Sequence, residues 1–382
     1  MASAVVVGAG VFGCSIADRL AAEGWSVTLV DQFEPGDERA SSGGESRLLR
    51  CAHGASDWYT DSAWRARQLW QELDRGLFVE SGVAWFARRE DGWEAISERA
   101  LRARGIPVER LEPGSLRLFP SFAGGDLSFV LLEPAAGVLR ARAATRALAA
   151  RALARGGRFV RARARPDGHS VCLDGGRRLE ADRIVWACGA WLAKLFPGIV
   201  HLRATRQEVL LFRPPHHRWV TPPLPAWADY GGAFYGLGDL DGDGVKVASD
   251  AIGPAVDPDA EPAALPTDLE QRVREYLAIR FPELAEPPLA RANTCRYELT
   301  SDAQFIVAEH PETRGVWLVG GGSGHGFKHG PALAEHVARL LNGEGEVEPS
   351  FRLGPRTRDS ARRAAGQASW PRAAPPAPQL GG

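Results

Sequence analysis

Lysine is rare in this sequence, and two of its lysines lie in glycine-rich surroundings where an ammonium group could do chemistry. Only three of the 46 lysine and arginine residues are lysines, namely Lys194, Lys246 and Lys328. An ammonium group is a compact point charge, whereas a guanidinium is planar and permanently charged, so the two are not interchangeable at an anion-binding site. Lys246 and Lys328 are therefore candidates for stabilising negative charge, and the alternative is that they are random remnants of an arginine-rich composition. We expect Lys194 to have only a surface role.

Residues 5–13 contain the pattern of a dinucleotide-binding turn. A β-branched run leads into Gly8, Gly10 and Gly13, and a helical pattern follows before a second strand that ends at Asp31. In such a unit the helix N-terminus faces a pyrophosphate, and an acid about 20 residues beyond the glycines binds ribose hydroxyls. The sequence therefore predicts a dinucleotide site and leaves NAD and FAD open.

Two later segments, 183–191 and 315–328, repeat the pattern of an apolar strand that ends in glycine. Ligands of open α/β sheets bind at the carboxyl ends of the strands. Three such turns far apart in sequence therefore predict one nucleotide domain assembled from separated segments. The last turn leads into a predicted helix over 332–341, and another helix is predicted around 64–73.

Short strand-like runs dominate two intervening segments, 81–138 and 206–300, and predict a mainly antiparallel sheet that covers the nucleotide. Within the second segment, the acidic run 239–244 and Asp250 have the spacing of an EF-hand calcium loop. The residues on either side do not have a helical pattern. We therefore predict a β-hairpin turn here and expect no metal site.

Composition and charge exclude several classes of partner. The chain has 382 residues, of which 45% are hydrophobic and 24% are charged, with a formal net charge of −1. The arginines are scattered, so we expect neither nucleic acid nor an anionic membrane surface as a partner. The first residues lack the features of a signal peptide, and no 18-residue apolar stretch occurs, which predicts a cytoplasmic protein. Five cysteines without a CxxC pair indicate neither a disulfide framework nor structural zinc.

Several further motifs occur in order along the chain. Besides the first glycine turn, they are Gly44–Arg50, the turn at Gly137, Gly189–Trp191, Tyr235–Gly236 with Lys246 eleven residues on, Cys295–Tyr297 and Ser323–Lys328. Together these motifs resemble the monomeric sarcosine oxidase group of FAD-dependent amine oxidases, within the D-amino-acid-oxidase-like flavoprotein superfamily. The resemblance covers about residues 4–353 and implies FAD rather than NAD.

The fold implied by this resemblance is α/β plus antiparallel β. A Rossmann-like FAD-binding domain would be interleaved with a substrate domain built on a mainly antiparallel sheet. The expected bounds are 1–80, 139–205 and 301–353 for the FAD-binding domain, 81–138 and 206–300 for the substrate or catalytic domain, and 354–382 for a disordered tail rich in Arg, Ala and Pro.

The resemblance also implies a set of cofactor contacts. Cys295 matches the cysteine that is covalently attached to the flavin in this group, and Arg47 matches the arginine that lies against the flavin ring. His325 lies in a Gly-His-Gly turn, and we expect it to shape the backbone or contact the flavin rather than act as an acid or base. The expected cofactor-binding residues are Gly8, Gly10, Gly13, Asp31, Ser42, Arg47, Gly189, Trp191, Cys295, Gly322, Gly324, His325, Gly326 and Lys328.

Catalytic and substrate-binding residues follow from the same matches. Lys246 matches the lysine that promotes oxygen reduction, where a fixed cation stabilises the developing negative charge. Arg50 and Lys328 resemble the pair that grips a substrate carboxylate. The aromatic residues that flank the same pocket could otherwise be ordinary core residues. The expected catalytic residues are Lys246, Arg47, Tyr235 and Asp250, and the expected substrate-binding residues are Arg50, Lys328, Tyr297, Tyr235 and Asp250.

The sequence departs from the pattern of the group at two places. Ser42 and Gly43 stand where close relatives carry two histidines beside the flavin, which leaves the flavin contacts and the extent of self-attachment open. Asp250 replaces a pocket histidine, and on an extended strand it would share a face with Lys246. A carboxylate there could pair with a second cationic group of the substrate, such as a hydrazine, an amine or a guanidine.

The resemblance implies an FAD-dependent oxidase of the C–N bond of a secondary amine or N-substituted amino acid. The products would be an imine, which hydrolyses to an aldehyde or oxo acid plus an amine, and hydrogen peroxide. Alternatives are desaturation of a cyclic imino acid in a biosynthetic pathway, an amine dehydrogenase that passes electrons to a carrier, and a catalytically silent flavin-binding protein. Lys246 argues against electron transfer to a carrier. The expected partners are a small-molecule substrate and molecular oxygen, and the expected state is a monomer.

Overall fold

Two large β-sheets organise the chain. The computed structural model describes residues 1–115, 117–260, 264–354 and 356. The strands in chain order are β1 (Ser3–Val7), β2 (Ser26–Asp31), β3 (Ser46–Leu49), β4 (Phe78–Val79), β5 (Val83–Ala87), β6 (Glu109–Leu111), β7 (Phe129–Glu133), β8 (Gly137–Arg140), β9 (Arg158–Arg161), β10 (Ala164–Asp167), β11 (Ser170–Leu173), β12 (Arg178–Leu179), β13 (Arg183–Trp186), β14 (Arg203–Phe212), β15 (Ala226–Asp229), β16 (Phe234–Leu237), β17 (Val245–Ser249), β18 (Leu289–Leu299), β19 (Ile306–Glu309) and β20 (Val316–Gly320).

Helices connect or cover these strands. They are α1 (Val11–Ala22), α2 (Asp57–Leu73), α3 (Trp93–Ala103), α4 (Ala141–Ala154), α5 (Leu192–Leu195), α6 (Leu269–Arg280) and α7 (Gly330–Leu341). The helix expected around 64–73 begins earlier, at Asp57. In the part of the chain that the structure describes, every helix is too short or too polar to cross a membrane.

The first large sheet has six strands in the order β19-β20-β13-β1-β2-β9. All neighbours are parallel except β19 and β20. The central strands of this sheet are continuous runs of apolar residues, because both faces of the sheet are covered by an apolar core. Val6 faces a core that includes α1, α4 and α7, whereas Val5 and Val7 face a second apolar core. The three strand-to-glycine turns lie side by side after β1, β13 and β20, so the predicted assembly from separated segments is confirmed.

The second large sheet has eight strands in the order β18-β14-β17-β16-β15-β5-β7-β6. Its neighbours are antiparallel except for the β15–β5 pair, which confirms the mainly antiparallel sheet. A core rich in aromatic side chains, among them Trp219, Trp227 and Phe281, packs between this sheet and α6. The sheet draws on both predicted segments, and β14 begins at Arg203. The exact division of the chain into two domains stays a prediction.

Strand register in the second sheet determines which side chains meet. Directly paired residues of neighbouring strands point to the same face. On β14, Gln207 pairs with Cys295 and Leu211 pairs with Lys246. Alternation along the strands places Tyr235, which pairs with Ala248, on the same face.

Two smaller sheets complete the fold. One has the order β3-β8-β4 and carries Arg47 on β3, with Arg50 directly after that strand. The other has the order β10-β11-β12. The segment 239–244 joins antiparallel strands β16 and β17, as expected for a hairpin turn. The predicted tail, 354–382, lies outside the described residues except for Gly354 and Arg356.

Candidate active site

A cavity of about 310 Å³ lies where the carboxyl ends of β1, β2 and β13 meet β18. This volume is within the usual range of small-molecule sites. Three expected cofactor residues, Gly13, His325 and Lys328, are not on its wall. The other expected cofactor residues are all on it, namely Gly8, Gly10, Asp31, Ser42, Arg47, Gly189, Trp191, Cys295, Gly322, Gly324 and Gly326.

The first glycine turn brings α1 close to β1 and points the N-terminus of α1 at the cavity. Gly8 has φ +109°, and a Cβ there would lie 2.3 Å from the Ala187 carbonyl oxygen. A Cβ on Gly13 would lie 1.7 Å from the Gly8 carbonyl oxygen. A helix N-terminus with backbone this closely packed is suited to a pyrophosphate. The turn therefore fits the diphosphate of a dinucleotide.

Asp31 ends β2 and is held in position by backbone N–H groups. Its Oδ2 accepts a hydrogen bond of 2.6 Å from Ala9 N, and its Oδ1 accepts one of 2.8 Å from Phe33 N. Burial raises the pKa of this carboxyl group, and the N–H donors oppose that effect. Such an oriented carboxyl group at the end of the second strand fits a ribose.

Cys295 differs from three other cysteines in having a cation at its sulfur. Arg47 Nη2 lies 3.3 Å from Cys295 Sγ and donates a 2.7 Å hydrogen bond to Ser41 O. Burial raises the thiol pKa of Cys14, Cys51 and Cys188. The Cys295 sulfur thus receives a hydrogen bond from a cation, whereas the Cys14 and Cys188 thiols donate to the backbone carbonyls of Ala9 and Val7.

Lys246 lies on β17 and shares a hydrogen-bond acceptor with Arg47. Its Nζ donates to Ser46 O at 3.0 Å, and Arg47 Nη1 donates to the same carbonyl at 2.7 Å. Lys246 is only 4% exposed. Burial, followed by the charge of Arg47, lowers the pKa of Lys246 to about 7. Its ammonium group can therefore gain or lose a proton near neutral pH.

Tyr235 lies close to this cation, and it interacts in turn with Tyr297 and Asp250. The Lys246 Nζ is 5.7 Å from the centre of the Tyr235 ring. Burial, together with smaller effects that include the charge of Asp250, raises the pKa of Tyr235 to about 12. Burial raises the pKa of Tyr297 well above its usual value, and Tyr235 and Asp250 add to this effect. Both phenols are thus neutral hydrogen-bonding groups, and Asp250 acts electrostatically on both of them.

Arg50, which is partly buried, and Lys328, which is buried, form a pair of interacting cations. Arg50 Nη2 donates to the Tyr230 hydroxyl at 3.1 Å, and Lys328 Nζ donates to His325 O at 2.8 Å. Lys328 is only 2% exposed. Burial, followed by the charge of Arg50, lowers the pKa of Lys328 well below its usual value. Cys51 and Glu133 act in the opposite direction but do not offset burial and Arg50.

The carboxyl group that interacts with both cations, Glu133, is engaged elsewhere. It accepts hydrogen bonds of 2.7 Å from Cys51 N and from Trp85 Nε1. Burial raises its pKa. Glu133 therefore orients the backbone directly after Arg50 instead of forming an ion pair with Arg50 or Lys328. A pair of cations of this kind can bind a carboxylate with charge-assisted hydrogen bonds.

Sequence reasoning missed a cluster of three histidines beside the cation pair. One ring nitrogen from each of His53, His325 and His329 lies within 4.8 Å of the other two. Arg50 Nη1 is 3.2 Å from His53 Nε2, and burial lowers the pKa of both His53 and His329 well below the usual value. The neighbouring cations oppose a metal ion by charge repulsion. We therefore interpret the three histidines as side chains that line the site and not as a metal centre. No spacing in the sequence links His53 to the other two.

The segment 253–260, here called the strap, contributes Asp259 to the cavity wall. Lys194 Nζ donates to Asp257 Oδ1 at 2.8 Å and to Asp259 Oδ2 at 2.5 Å. Trp191 Nε1 donates to Asp259 Oδ1 at 2.8 Å. Lys194, Asp259 and Trp191 all contribute to the cavity wall. Lys194, from which only a surface role was expected, thus ties the strap to the cavity, although its side chain is 45% exposed.

Comparisons with known proteins agree with this geometry. The sequence model of the family described as FAD dependent oxidoreductase matches residues 3–340. A monomeric sarcosine oxidase from Bacillus sp. (strain B-0618) is 29% identical over 369 residues, which are 91% of this chain and 94% of that protein. An N-methyl-L-tryptophan oxidase from Salmonella arizonae is 25% identical, over 92% of this chain and 96% of that protein.

The fold also matches solved structures. A modified fructosyl peptide oxidase from Aspergillus nidulans superposes with a TM-score of 0.80 at 20% sequence identity, covering 92% of this chain and 93% of that protein. The family match spans the glycine turns, Cys295 and Lys328 alike. The chain therefore belongs to the FAD dependent oxidoreductase family, in the group of FAD-dependent amine and amino-acid oxidases that includes the monomeric sarcosine oxidases.

Proposed function

We propose that this enzyme oxidises the C–N bond of a secondary amine or N-substituted amino acid, with molecular oxygen as the electron acceptor. The reaction consumes one O₂ and gives an imine and one hydrogen peroxide. Water then splits the imine into an aldehyde or oxo acid and an amine, unless the imine is cyclic. The pair Arg50 and Lys328 carries this proposal, because the two cations interact with each other while the nearby Glu133 accepts hydrogen bonds from N–H donors instead of forming an ion pair with either.

FAD supplies the redox chemistry by accepting a hydride from the carbon next to nitrogen and by returning two electrons to oxygen. Gly8 and Gly10 at the start of α1 would hold its diphosphate, and Asp31 would hold a ribose. Arg50 and Lys328 would fix the substrate carboxylate and so orient the amine. Lys246 would stabilise negative charge as oxygen is reduced. We propose that the enzyme works as a monomer.

We also propose that FAD is covalently attached through Cys295 Sγ. The contact with Arg47 Nη2 and the position of the sulfur on the cavity wall support this role. Joining the thiol and a methyl group of the flavin in a thioether would remove two electrons and two protons from them. O₂ would be the final acceptor and would be reduced to hydrogen peroxide. Ser42, at one of the two positions where relatives carry histidine, accepts a 2.9 Å hydrogen bond through its Oγ from Val11 N at the start of α1.

Acid precipitation tests the attachment. In the unaltered enzyme we expect the yellow colour to stay with the precipitated protein, and in Cys295→Ser we expect it to remain in the supernatant. Cys188→Ser is the matched control, since Cys188 also lines the cavity but lacks an adjacent cation. Colour that is released from the unaltered enzyme would contradict the proposed linkage.

Asp250 supports a narrower substrate class. Its carboxyl group influences Tyr235 and Tyr297 electrostatically, so it adds negative charge beside these two tyrosines. A substrate with a carboxylate at one end and a second cationic group at the other would match both charges. We therefore propose N-substituted amino acids that carry an additional amine, hydrazine or guanidine.

A substrate screen tests the reaction. Amines that reduce the enzyme under anaerobic conditions bleach its yellow colour, and the same amines should give peroxide stoichiometrically in air. The panel contains N-substituted glycines with and without a second cation, cyclic imino acids and the corresponding amides. Bleaching without peroxide would contradict oxidase activity and favour a dehydrogenase, whereas bleaching by the amides alone would contradict the carboxylate requirement.

Loss of the ion pairs between Lys194 and the strap should change the rate at which FAD is released. In a Cys295→Ser background, Lys194→Met removes both ion pairs to the strap. These pairs are partly exposed, so we expect FAD release to accelerate only about two- to fivefold. Lys194→Arg, which keeps the charge, should release FAD at nearly the original rate, and added salt should remove most of the difference between the variants. Flavin fluorescence measures the release, and equal rates for Met and Arg would contradict the role of the strap.

A further inference from the structure

Glu298 is a buried carboxyl group on the cavity wall that the proposed reaction does not use. It lies on β18, next to Tyr297 but on the opposite face of the strand. Its Oε1 accepts a 3.2 Å hydrogen bond from Gly322 N. Its Oε2 is fully buried and has no hydrogen-bond partner among the described residues. An unpaired buried oxygen costs free energy, so this position favours a ligand that supplies a partner.

The glycine turns after two strands of the first sheet surround this carboxyl group. A Cβ on Gly320 would lie 3.4 Å from Oε2, and one on Gly189 would lie 3.8 Å from it. A Cβ on Gly322 would lie 3.0 Å from Oε1. Glycine thus leaves space beside Glu298 at the turns that face the dinucleotide cavity. A bound dinucleotide would approach the carboxyl group here.

We infer that Glu298 binds the cofactor as a neutral acid, donating a hydrogen bond to the ribityl–diphosphate linker of FAD, and that FAD binding is therefore coupled to proton uptake. This inference rests on the FAD site of the proposed function. A carboxyl group can donate a hydrogen bond only while it is protonated. An ionised carboxylate would instead repel the diphosphate.

Burial accounts for the neutral form. It raises the pKa of Glu298 to about 7, against the opposing effect of the Gly322 and Gly321 N–H groups. A diphosphate adds negative charge to the cavity and so raises this pKa further. Protonation and FAD binding therefore favour each other. Above pH 7, affinity should fall with a slope that approaches about tenfold per pH unit until the pKa of the complex is reached.

The ionisable groups around Glu298 do not supply a cation that would reverse this effect. Cys188, after the end of β13, interacts electrostatically with both Glu298 and Asp31. On its own strand, Arg296 donates instead to Arg39 O at 2.9 Å. Among the described residues, Ala204, which pairs with Glu298 on β14, is uncharged, and so are Phe12 and Leu192, which pack against the glycines at and after the end of β20.

Reversible FAD binding to the full chain carrying Cys295→Ser tests the inference. Flavin fluorescence gives the affinity between about pH 6 and pH 9, and calorimetry in two buffers of different ionisation enthalpy gives the number of protons taken up. We expect an uptake approaching one proton at about pH 8, with affinity falling about fivefold between about pH 7 and pH 8 and about tenfold over the next pH unit.

The decisive variant is Glu298→Gln, whose side-chain amide can donate the same hydrogen bond at every pH. We expect it to bind FAD about as well as the parent near pH 6, to take up no proton, and to bind more tightly than the parent near pH 9. Asp31→Asn is the matched control, because the pKa of Asp31 is also raised by burial. That variant should keep the proton uptake even if its affinity is lower.

Three results would overturn the inference. The first is the absence of proton uptake in the parent protein at about pH 8, which is measured without any change at Glu298. The second is retention of uptake in Glu298→Gln, and the third is its loss in Asp31→Asn. Failure of the proposed function would look different, since FAD would bind with the expected pH dependence but no amine would reduce it.

Discussion

Lys246→Met should slow the reoxidation of reduced enzyme by O₂ by about 100- to 1,000-fold, the usual loss when a positioned electrostatic group is removed from a buried site. Methionine has a similar length but lacks a charge. The reason for the large effect is burial: Lys246 is screened from water and its Nζ is fixed by Ser46 O. Stopped-flow mixing of substrate-reduced enzyme with oxygenated buffer measures the rate.

The pH dependence of this step gives a second check. Only the protonated form of Lys246 carries the charge, and its pKa is lowered to about 7. The oxygen reaction should therefore be fast below pH 7 and slow as pH rises through 7. Lys246→Arg has a charge that does not titrate in this range, so its rate should lack this decline. Reduction by the amine under anaerobic conditions separates the two half-reactions.

An oxygen reaction that is equally fast in Lys246→Met would contradict the role of Lys246. So would a decline near pH 7 that persists in Lys246→Met, because another group would then titrate. Lys194→Met is the matched lysine control. Lys194 is paired with Asp257 and Asp259 of the strap, so its removal should leave the oxygen reaction unchanged.

Removal of the cation at Arg50 or at Lys328 should have a large effect on the affinity for carboxylates. Arg50→Ala or Lys328→Ala should weaken the binding of substrate carboxylates roughly 10- to 150-fold, the range expected for losing hydrogen bonds to a charged group. Titration of flavin absorbance with a carboxylate ligand that cannot be oxidised measures the affinity. The amide of the same ligand should bind all three proteins with similar affinity.

The pair is also coupled through its charges. Arg50 lowers the pKa of Lys328, so Arg50→Ala should raise that pKa and leave Lys328 protonated to higher pH. Carboxylate binding to the unaltered enzyme should weaken as pH rises, because Lys328 loses its proton. In Arg50→Ala this decline should begin at higher pH. A surface variant, Arg104→Ala, removes an arginine that pairs with Asp57 and Asp61 and should leave carboxylate binding unchanged.

Much of the fold could be predicted because it depends on local patterns. The β1–α1–β2 unit follows from a buried apolar strand, closely packed glycines and an acid at the end of the second strand. All of these lie within 31 consecutive residues. The hairpin between β16 and β17 is local in the same way. The start of α2 at Asp57 was missed, because its first turns carry polar residues and are ordered by packing against distant residues such as Phe305.

The candidate site was predictable only in part. Motif matches indicated Cys295, Lys246 and Lys328 one at a time, but not their environments. The lowered pKa of Lys246 depends on Arg47, almost 200 residues away in sequence. The histidine cluster joins His53 to a turn near the end of the described chain, and no spacing signals that contact.

By itself the sequence determined the elements and the types of side chain at their ends, because backbone periodicity and glycine turns act between near neighbours. The tertiary structure decided the ionisation of those side chains, because burial and charge act between residues that are distant in the chain. Lys246 and Lys328 illustrate the difference. In the sequence both are simply rare lysines. In the folded protein, burial and Arg47 lower the pKa of Lys246 to about 7, whereas burial and Arg50 lower the pKa of Lys328. Glu298 carried no signal in the sequence, and burial alone makes it an acid that can be neutral at physiological pH.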